Sequence, residues 1–191
     1  IDQAKDEARR VVAALKPLIA KGIPIVGLEP SCLLSLRDEF LVMGLGDDAH
    51  HLAENSFLFE EFLAREHKAG RLTLKLAALP EKRALLHGHC HQKAFDAVKP
   101  VQEVLALIPE MSVELIESSC CGMAGSFGYE ATHYDASMQM AELSLLPAIR
   151  NADADTLLVA DGTSCRHQIA DGTHQSRRAE HVACILERAL A

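Results

Sequence analysis

The chain has 191 residues, of which 49% are hydrophobic and 24% are charged, and its formal net charge at pH 7 is −8. This composition is typical of a globular chain with one sizeable core or two small lobes, and the acidic balance argues against nucleic acid as a partner, because nucleic-acid binding needs a positive patch. No apolar run reaches the roughly 18 residues that a membrane-spanning helix needs, so we expect no transmembrane segment.

The first elements along the chain are a helix and a short strand. Apolar residues at the spacing of an amphipathic helix precede Gly22, a stop signal, and an apolar run over residues 23–28 predicts a buried strand that leads to Cys32. Because the chain starts without Met and inside this helical pattern, we expect it to be a fragment whose beginning lies upstream.

The middle of the chain predicts one long helix and two strands. The helix should cover residues 48–68 and end at Gly70. Residues 72–76 alternate between apolar and polar, and residues 83–87 form an apolar run, so both segments are predicted to be strands.

The remaining pattern alternates helices with strands. Helical faces cover residues 95–108, with Pro100 as a kink or a new start, and residues 138–149, while residues 182–190 predict a closing helix. Strands are predicted at residues 113–116 and 156–160. This order indicates an α/β fold with a mainly parallel sheet flanked by helices, in which loops after the strands meet at the carboxyl edge.

The order helix, strand, cysteine occurs twice, ending at Cys32 and at Cys165. We interpret this as one complete copy of a repeat preceded by the C-terminal part of another. Residues 1–70 would be the end of the first copy with its connecting helix, and residues 71–191 the second copy. Cys32, separated from upstream partners, is expected to be a free thiol or an incomplete ligand; a small buried residue at a strand end is the alternative.

The adjacent pair Cys120 and Cys121 is the most informative motif. With Cys90 upstream and Cys165 downstream, it predicts one thiolate site that draws ligands from three loops. Structural zinc sites use short cysteine knuckles, whereas an iron–sulfur cluster is a larger group that takes thiolates from separate loops. The spacing therefore favours a cluster. In a cytoplasmic chain, cysteines are expected to be ligands or buried thiols rather than disulfides.

Residues around these cysteines are expected to support the site. The glycine-rich segment 122–128 lets the backbone approach a bound group and direct N–H groups at an anion; a tight turn is the alternative. Nearby histidines are expected to donate N–H to sulfur, with direct metal ligation as the alternative, and an arginine would offset thiolate charge. Cys184 is predicted to be a core residue. The predicted supporting residues are His87, His89, His91, Gly122, Arg166 and His167.

Three motifs are specific when taken together: His89-Cys90-His91-Gln92-Lys93, the run at residues 120–130, and Thr163-Ser164-Cys165-Arg166-His167-Gln168. They resemble the cysteine-rich CCG domain that is found in heterodisulfide reductase, in the iron–sulfur protein of glycolate oxidase and in the iron–sulfur protein of anaerobic glycerol-3-phosphate dehydrogenase. The motifs are most similar to the C-terminal region of fused FAD and iron–sulfur D-2-hydroxyacid dehydrogenases.

The resemblance implies a [4Fe–4S] cluster on Cys90, Cys120, Cys121 and Cys165 that passes electrons from FAD, on an upstream domain or a partner chain, towards a quinone or carrier protein. The substrate would be a D-2-hydroxyacid such as lactate, glycolate or 2-hydroxyglutarate. The protein would be cytoplasmic or peripheral to the inner membrane. Alone, the chain would be an inactive part of this oxidoreductase.

One departure from the family affects the ligand count. Its fullest motif ends in Cys-Pro-x-Cys, where this chain has Gly162-Thr163-Ser164-Cys165, so four thiolates are expected. Four thiolates suit an ordinary [4Fe–4S] cluster or a different metal. Aerobic handling of the fragment would remove the cluster or replace it with zinc. The alternatives are a structural or docking module with a zinc or empty thiolate site, and a redox-active thiol–disulfide site.

Overall fold

The computed structural model describes residues 1–191, and the chain divides into two compact units, Ile1–Phe62 and Leu63–Ala191. Each unit contains a parallel sheet with helices around it. The α/β fold class predicted from the sequence is therefore confirmed. None of the helices combines the length and the apolar character needed to cross a membrane.

The first unit is mainly helical and has a two-stranded parallel sheet. Its first helix buries Ala8 and Val12, and its last turn lies shortly before Gly22, as the pattern predicts. Its elements, with a 3-10 turn at Ser35–Arg37 after α2, are α1 (Asp2–Ile19), β1 (Ile25–Gly27), α2 (Pro30–Leu34), α3 (Glu39–Val42), α4 (Asp47–Glu54), β2 (Ser56–Leu58) and α5 (Phe59–Lys68), which continues into the second unit.

The single helix predicted over residues 48–68 is wrong, because β2 separates α4 from α5. The Ser56 hydroxyl donates to the Leu52 carbonyl at 2.7 Å, which satisfies a carbonyl at the end of α4. Parallel pairing with β1 then holds the chain extended, with Ile25 beside Ser56. The predicted burial of β1 is also wrong, since Val26 is 41% exposed.

The second unit is built on a three-stranded parallel sheet in the order β4-β3-β5. The central strand pairs Ala84 with Val113 on one side and with Leu157 on the other. The elements of this unit, with 3-10 turns at Phe127–Tyr129 and Ala131–His133, are β3 (Arg83–Leu86), α6 (Cys90–Ala94), α7 (Val98–Leu105), β4 (Ser112–Leu115), α8 (Tyr134–Glu142), α9 (Leu145–Asn151), β5 (Leu157–Val159), α10 (Thr163–Gly172) and α11 (Val182–Ala189).

The strand predicted over residues 72–76 is wrong. This segment makes a single antiparallel bridge, between Leu76 and Leu190, and the Ala77 N–H donates to the Ala189 carbonyl at 2.8 Å. It lies along the end of the chain without a neighbouring strand, and Leu74 is 40% exposed. Alternation alone therefore does not make a strand here, since a strand also needs a partner that continues the ladder.

Two helix predictions in the second unit need smaller corrections. The face predicted over residues 138–149 belongs to two helices, α8 and α9, which bury Ala141 and Ile149 respectively. The face predicted over residues 95–108 is the shorter helix α7, and of the two roles predicted for Pro100 the structure has the new start. Pro100 lies in the first turn of α7, where its missing N–H removes no intrahelical hydrogen bond. The predicted core position of Cys184 is wrong, because this residue is exposed on α11.

Candidate metal centre

Three loops at the carboxyl ends of the parallel strands carry four cysteines. The loop after β3 leads to Cys90, the first residue of α6, and the loop after β5 leads to Cys165 in the first turn of α10. The loop after β4 carries Cys120 and Cys121. Because the three strands are parallel, these loops meet at one edge of the sheet, where open α/β sheets bind their ligands.

Hydrogen bonds link the four thiols in the order Cys90, Cys120, Cys121 and Cys165. Cys120 accepts hydrogen bonds from Cys121 and Cys90, which lower the pKa of Cys120 far below the ordinary thiol value. Contact with Cys120 raises the pKa of Cys121 and of Cys90. Contact with Cys121 lowers the pKa of Cys165 to about 5. Metal binding requires deprotonated cysteines, so a metal that bound all four would release protons.

The glycine-rich loop turns backbone N–H groups towards the sulfur atoms. The Gly122 N–H donates to the Cys120 Sγ atom at 3.3 Å, and Ala124 adds a backbone hydrogen bond to the same sulfur. The Met123 N–H interacts with Cys121. Gly122 has a φ of 98°, a left-handed conformation that favours glycine and makes this turn around the sulfur accessible. The N–H groups that face sulfur therefore belong to the glycine-rich loop. They do not belong to an α-helix, since the element that follows the loop is the 3-10 turn at Phe127–Tyr129.

Lys93 places a cation beside the thiols. Its ammonium group donates to the carbonyl oxygen of Ser119 at 2.7 Å and also to that of Ser118. Burial lowers the pKa of Lys93, while the charges of Cys165 and the other thiols act in the opposite direction. The sequence predicted no role for Lys93. Its position one helical turn after Cys90 was the available signal.

His89 holds the start of α6. The His89 Nδ1 atom accepts a hydrogen bond from the backbone N–H of His91 at 3.2 Å. The backbone N–H of His89 donates to Gln92 Oε1 at 2.9 Å. Gln92 Nε2 in turn donates to Asp161 Oδ2 at 3.0 Å, in the loop after β5. Asp161 Oδ1 accepts from the Val182 N–H at 3.0 Å. This buried network fixes two of the three cysteine loops relative to each other.

Two predicted supporting residues make their hydrogen bonds elsewhere. Arg166 donates to the Ala160 carbonyl at 2.9 Å and to Thr163 Oγ1 at 3.1 Å, so it holds the backbone of the loop after β5. His167 is exposed, and its Nδ1 atom lies 2.7 Å from the Tyr129 hydroxyl. Arg166 therefore supports the loop that carries Cys165, whereas His167 pairs with Tyr129 at the surface.

Cys32 has the same local position as Cys165. It is the third residue of α2, shortly after β1, and Cys165 is the third residue of α10, shortly after β5. If the chain contains two copies of a repeat, as predicted, Cys32 and Cys165 should occupy equivalent positions of this kind. Cys32 is exposed, so the alternative of a small buried residue is wrong.

His87 was predicted as a supporting residue, with direct metal ligation as the alternative, and its ring lies beside the thiols. One of its ring nitrogens and the sulfur atoms of Cys121 and Cys165 all lie within 4.8 Å of one another, and all three residues are buried. Imidazole and thiolate are both ligands of zinc and iron, so these three residues could hold a metal ion. The signal in the sequence was a histidine directly after a buried strand.

Comparison with known proteins relates the chain to parts of two dehydrogenases. It is 32% identical over 191 residues to the C subunit of anaerobic glycerol-3-phosphate dehydrogenase from Escherichia coli (strain K12), and it covers 46% of that protein. It is also 29% identical over 165 residues to D-2-hydroxyglutarate dehydrogenase of the same strain, and 31% over 170 residues to that of Haemophilus influenzae. These matches cover 85% and 84% of this chain and 15% of each relative.

The chain therefore spans about half the length of the first relative and a smaller share of the others. Homology to both dehydrogenases, which the sequence motifs predict, is confirmed at this level. No protein-family profile matches the chain, and no solved structure matches it. Assignment to the CCG domain stays a prediction.

Proposed function

We propose that this chain is an electron-transfer module of a dehydrogenase, in which Cys90, Cys120, Cys121 and Cys165 hold an iron–sulfur cluster. The observation that carries this proposal is the row of hydrogen bonds that links four thiols from three separate loops at one edge of the sheet. Thiolates are the normal ligands of such clusters, and separate loops suit a group larger than a single ion.

The surroundings of the thiols fit an anionic, thiolate-bound group. Backbone N–H groups of the loop after β4 already donate to sulfur, and hydrogen bonds to sulfur are one determinant of a cluster's potential. Lys93 supplies a nearby positive charge. Cys121 and Cys165 are buried, whereas Cys90 is exposed, so the site reaches the surface on the Cys90 side. A partner that delivers or takes electrons could approach there.

The names of the relatives support a redox role. One is named for glycerol 3-phosphate and the other for D-2-hydroxyglutarate, and each of these compounds carries a secondary alcohol whose oxidation yields two electrons and two protons. We place this oxidation on FAD, in another domain of the protein or in a partner chain. A bound cluster would carry the electrons one at a time. The proposed substrate is a D-2-hydroxyacid, and the proposed acceptor is a quinone or carrier protein.

Metal analysis of the full-length protein tests the proposal. Anaerobically purified protein should contain iron and acid-labile sulfide in equal amounts, about four of each per site for a [4Fe–4S] cluster. The same preparation exposed to air should lose iron or exchange it for zinc. Anaerobic protein with zinc but neither iron nor sulfide would refute the electron-transfer proposal.

A second candidate function is a structural or docking module that holds zinc. The short distances between the ligand atoms favour it, because the ligand atoms of His87, Cys121 and Cys165 lie within 4.8 Å of one another. Two sulfur atoms bound to one tetrahedral zinc ion, at about 2.3 Å each, lie about 3.8 Å apart. One zinc ion per site without sulfide in the anaerobic protein would support this candidate.

A further inference from the structure

His87 is a buried polar side chain whose ring lies beside cysteine sulfur atoms. It directly follows β3, and only 1% of its surface is exposed. Its Nδ1 atom lies 2.9 Å from the Ser118 hydroxyl oxygen, whereas its Nε2 atom is buried and has no nitrogen or oxygen hydrogen-bond partner. Buried polar atoms are nearly always paired, and the hydrogen bond between His87 and Cys165 shows that sulfur is the partner within reach of this ring.

The Ser118 contact determines which nitrogen is available. If Nδ1 carries the proton and donates to the Ser118 hydroxyl, the Nε2 lone pair is free. Histidines that bind metals are oriented in this way, by a hydrogen bond from the other ring nitrogen that fixes the tautomer. Ser118 belongs to the same loop as Cys120, and the Lys93 ammonium group binds the Ser118 carbonyl, so the position of this partner is itself restrained.

The surroundings of the ring point to a ligand position. Cys121 and Cys165 offer sulfur atoms within 4.8 Å of a His87 ring nitrogen. His87 also contributes to the lowered pKa of Cys165. His89, in the same loop, differs because its Nδ1 atom accepts the His91 N–H at 3.2 Å.

We propose that His87 Nε2 is a direct ligand of the metal group, beside the thiolates of Cys121 and Cys165. This inference rests on the proposed function in one respect only, namely that the thiols hold a metal group. It makes the protein ligand set mixed, with one imidazole nitrogen among sulfur atoms. An imidazole ligand adds no negative charge, so the bound group is less negative than one with a further thiolate in that position, and its reduction potential is higher, as on iron–sulfur centres where histidine stands in place of cysteine.

The test compares His87→Gln with His167→Gln in the full-length, anaerobically purified protein. His167 is a matched control because it is exposed and pairs with Tyr129. Pulsed EPR of the reduced protein should detect a strongly coupled histidine nitrogen in the unaltered protein and in His167→Gln, and none in His87→Gln. Chelators should also remove metal at least about tenfold faster from His87→Gln. Iron and sulfide without this nitrogen coupling would overturn the ligand assignment while leaving electron transfer intact.

If the site holds zinc, the same two variants test whether His87 is a ligand. X-ray absorption should then show one nitrogen at about 2.0–2.1 Å beside sulfur at about 2.3 Å, and the nitrogen should disappear in His87→Gln. Sulfur ligation alone would overturn the assignment, and so would a site that binds neither metal. If His87→Gln does not fold, His87→Cys should retain metal and lose the nitrogen signal. Labelling histidine with ¹⁵N in the unaltered protein must change the coupling; no change would refute the proposal.

Discussion

Cys121→Ser in the full-length protein should strongly slow electron transfer to the acceptor while leaving reduction of the flavin by substrate nearly unchanged. Cys121 is 4% exposed and contacts both Cys120 and Cys165, so it occupies the middle of the thiol cluster. Serine has nearly the same shape but offers a hydroxyl in place of the thiolate that soft metal centres select. Loss of a residue that only hydrogen-bonds a metal ligand costs about 10–100-fold in metal affinity, so loss of this ligand itself should slow acceptor reduction by about a hundredfold or more.

Stopped-flow flavin reduction and steady-state acceptor reduction separate the two events. Cys184→Ser is the matched control, because Cys184 is exposed on α11, and a surface substitution of this kind changes stability by less than about 0.5 kcal/mol. It should leave both rates unchanged. Full steady-state transfer in Cys121→Ser, or its loss in Cys184→Ser at unchanged stability, would contradict the assignment of the adjacent cysteines as the electron-carrying site.

Gly122→Ala should strongly destabilise the second unit. A Cβ atom at this position would lie 2.1 Å from the Ser137 carbonyl oxygen and 2.9 Å from Gln168 Nε2. The left-handed φ of 98° adds strain of about 1–2 kcal/mol, and overpacking costs about 1–3 kcal/mol more. The free energy of unfolding should therefore fall by about 3 kcal/mol or more, and the loop should no longer hold the Gly122 N–H against the Cys120 sulfur.

Gly125→Ala is the control for backbone strain alone. Gly125 also has a left-handed φ, 67°, but no atom lies within 4 Å of a Cβ built there. Its substitution should cost only about 1 kcal/mol. Denaturant unfolding of both variants measures the difference. Equal losses of stability would show that the close contact of Gly122 with the backbone at Ser137 is absent in solution.

The sheet that positions the cysteines could be predicted from the sequence because β3 and β5 contain short apolar runs between helical faces. Leu85 and Leu158 are 9% and 4% exposed, and such burial is written into the sequence as unbroken hydrophobicity. The break between α4 and α5 could not be predicted, because the helical spacing of residues 48–68 continues across it. Pairing of β1 with β2 is a tertiary interaction that overrides this local pattern.

Some features of the site could likewise be predicted from the sequence, and others depend on tertiary contacts. Cysteines after three parallel strands must meet at one edge, so their convergence follows from chain order and strand direction. The orientation of His87 follows instead from the Ser118 hydroxyl, which belongs to a different loop. The solvent exposure of Cys184 depends on which face of α11 packs inwards, and its buried neighbours Ile185 and Leu186 led to the wrong prediction that Cys184 shares that face.

Anomalous diffraction from anaerobically grown crystals of the full-length protein tests the central claim most directly. Data collected at the iron and zinc absorption edges identify the element and its position in one experiment. We expect an iron peak bounded by the sulfur atoms of Cys90, Cys120, Cys121 and Cys165, and no zinc peak there. A zinc peak alone at this position, or an iron peak elsewhere with the four sulfur atoms free of metal, would contradict the proposal that these cysteines form the electron-transfer site.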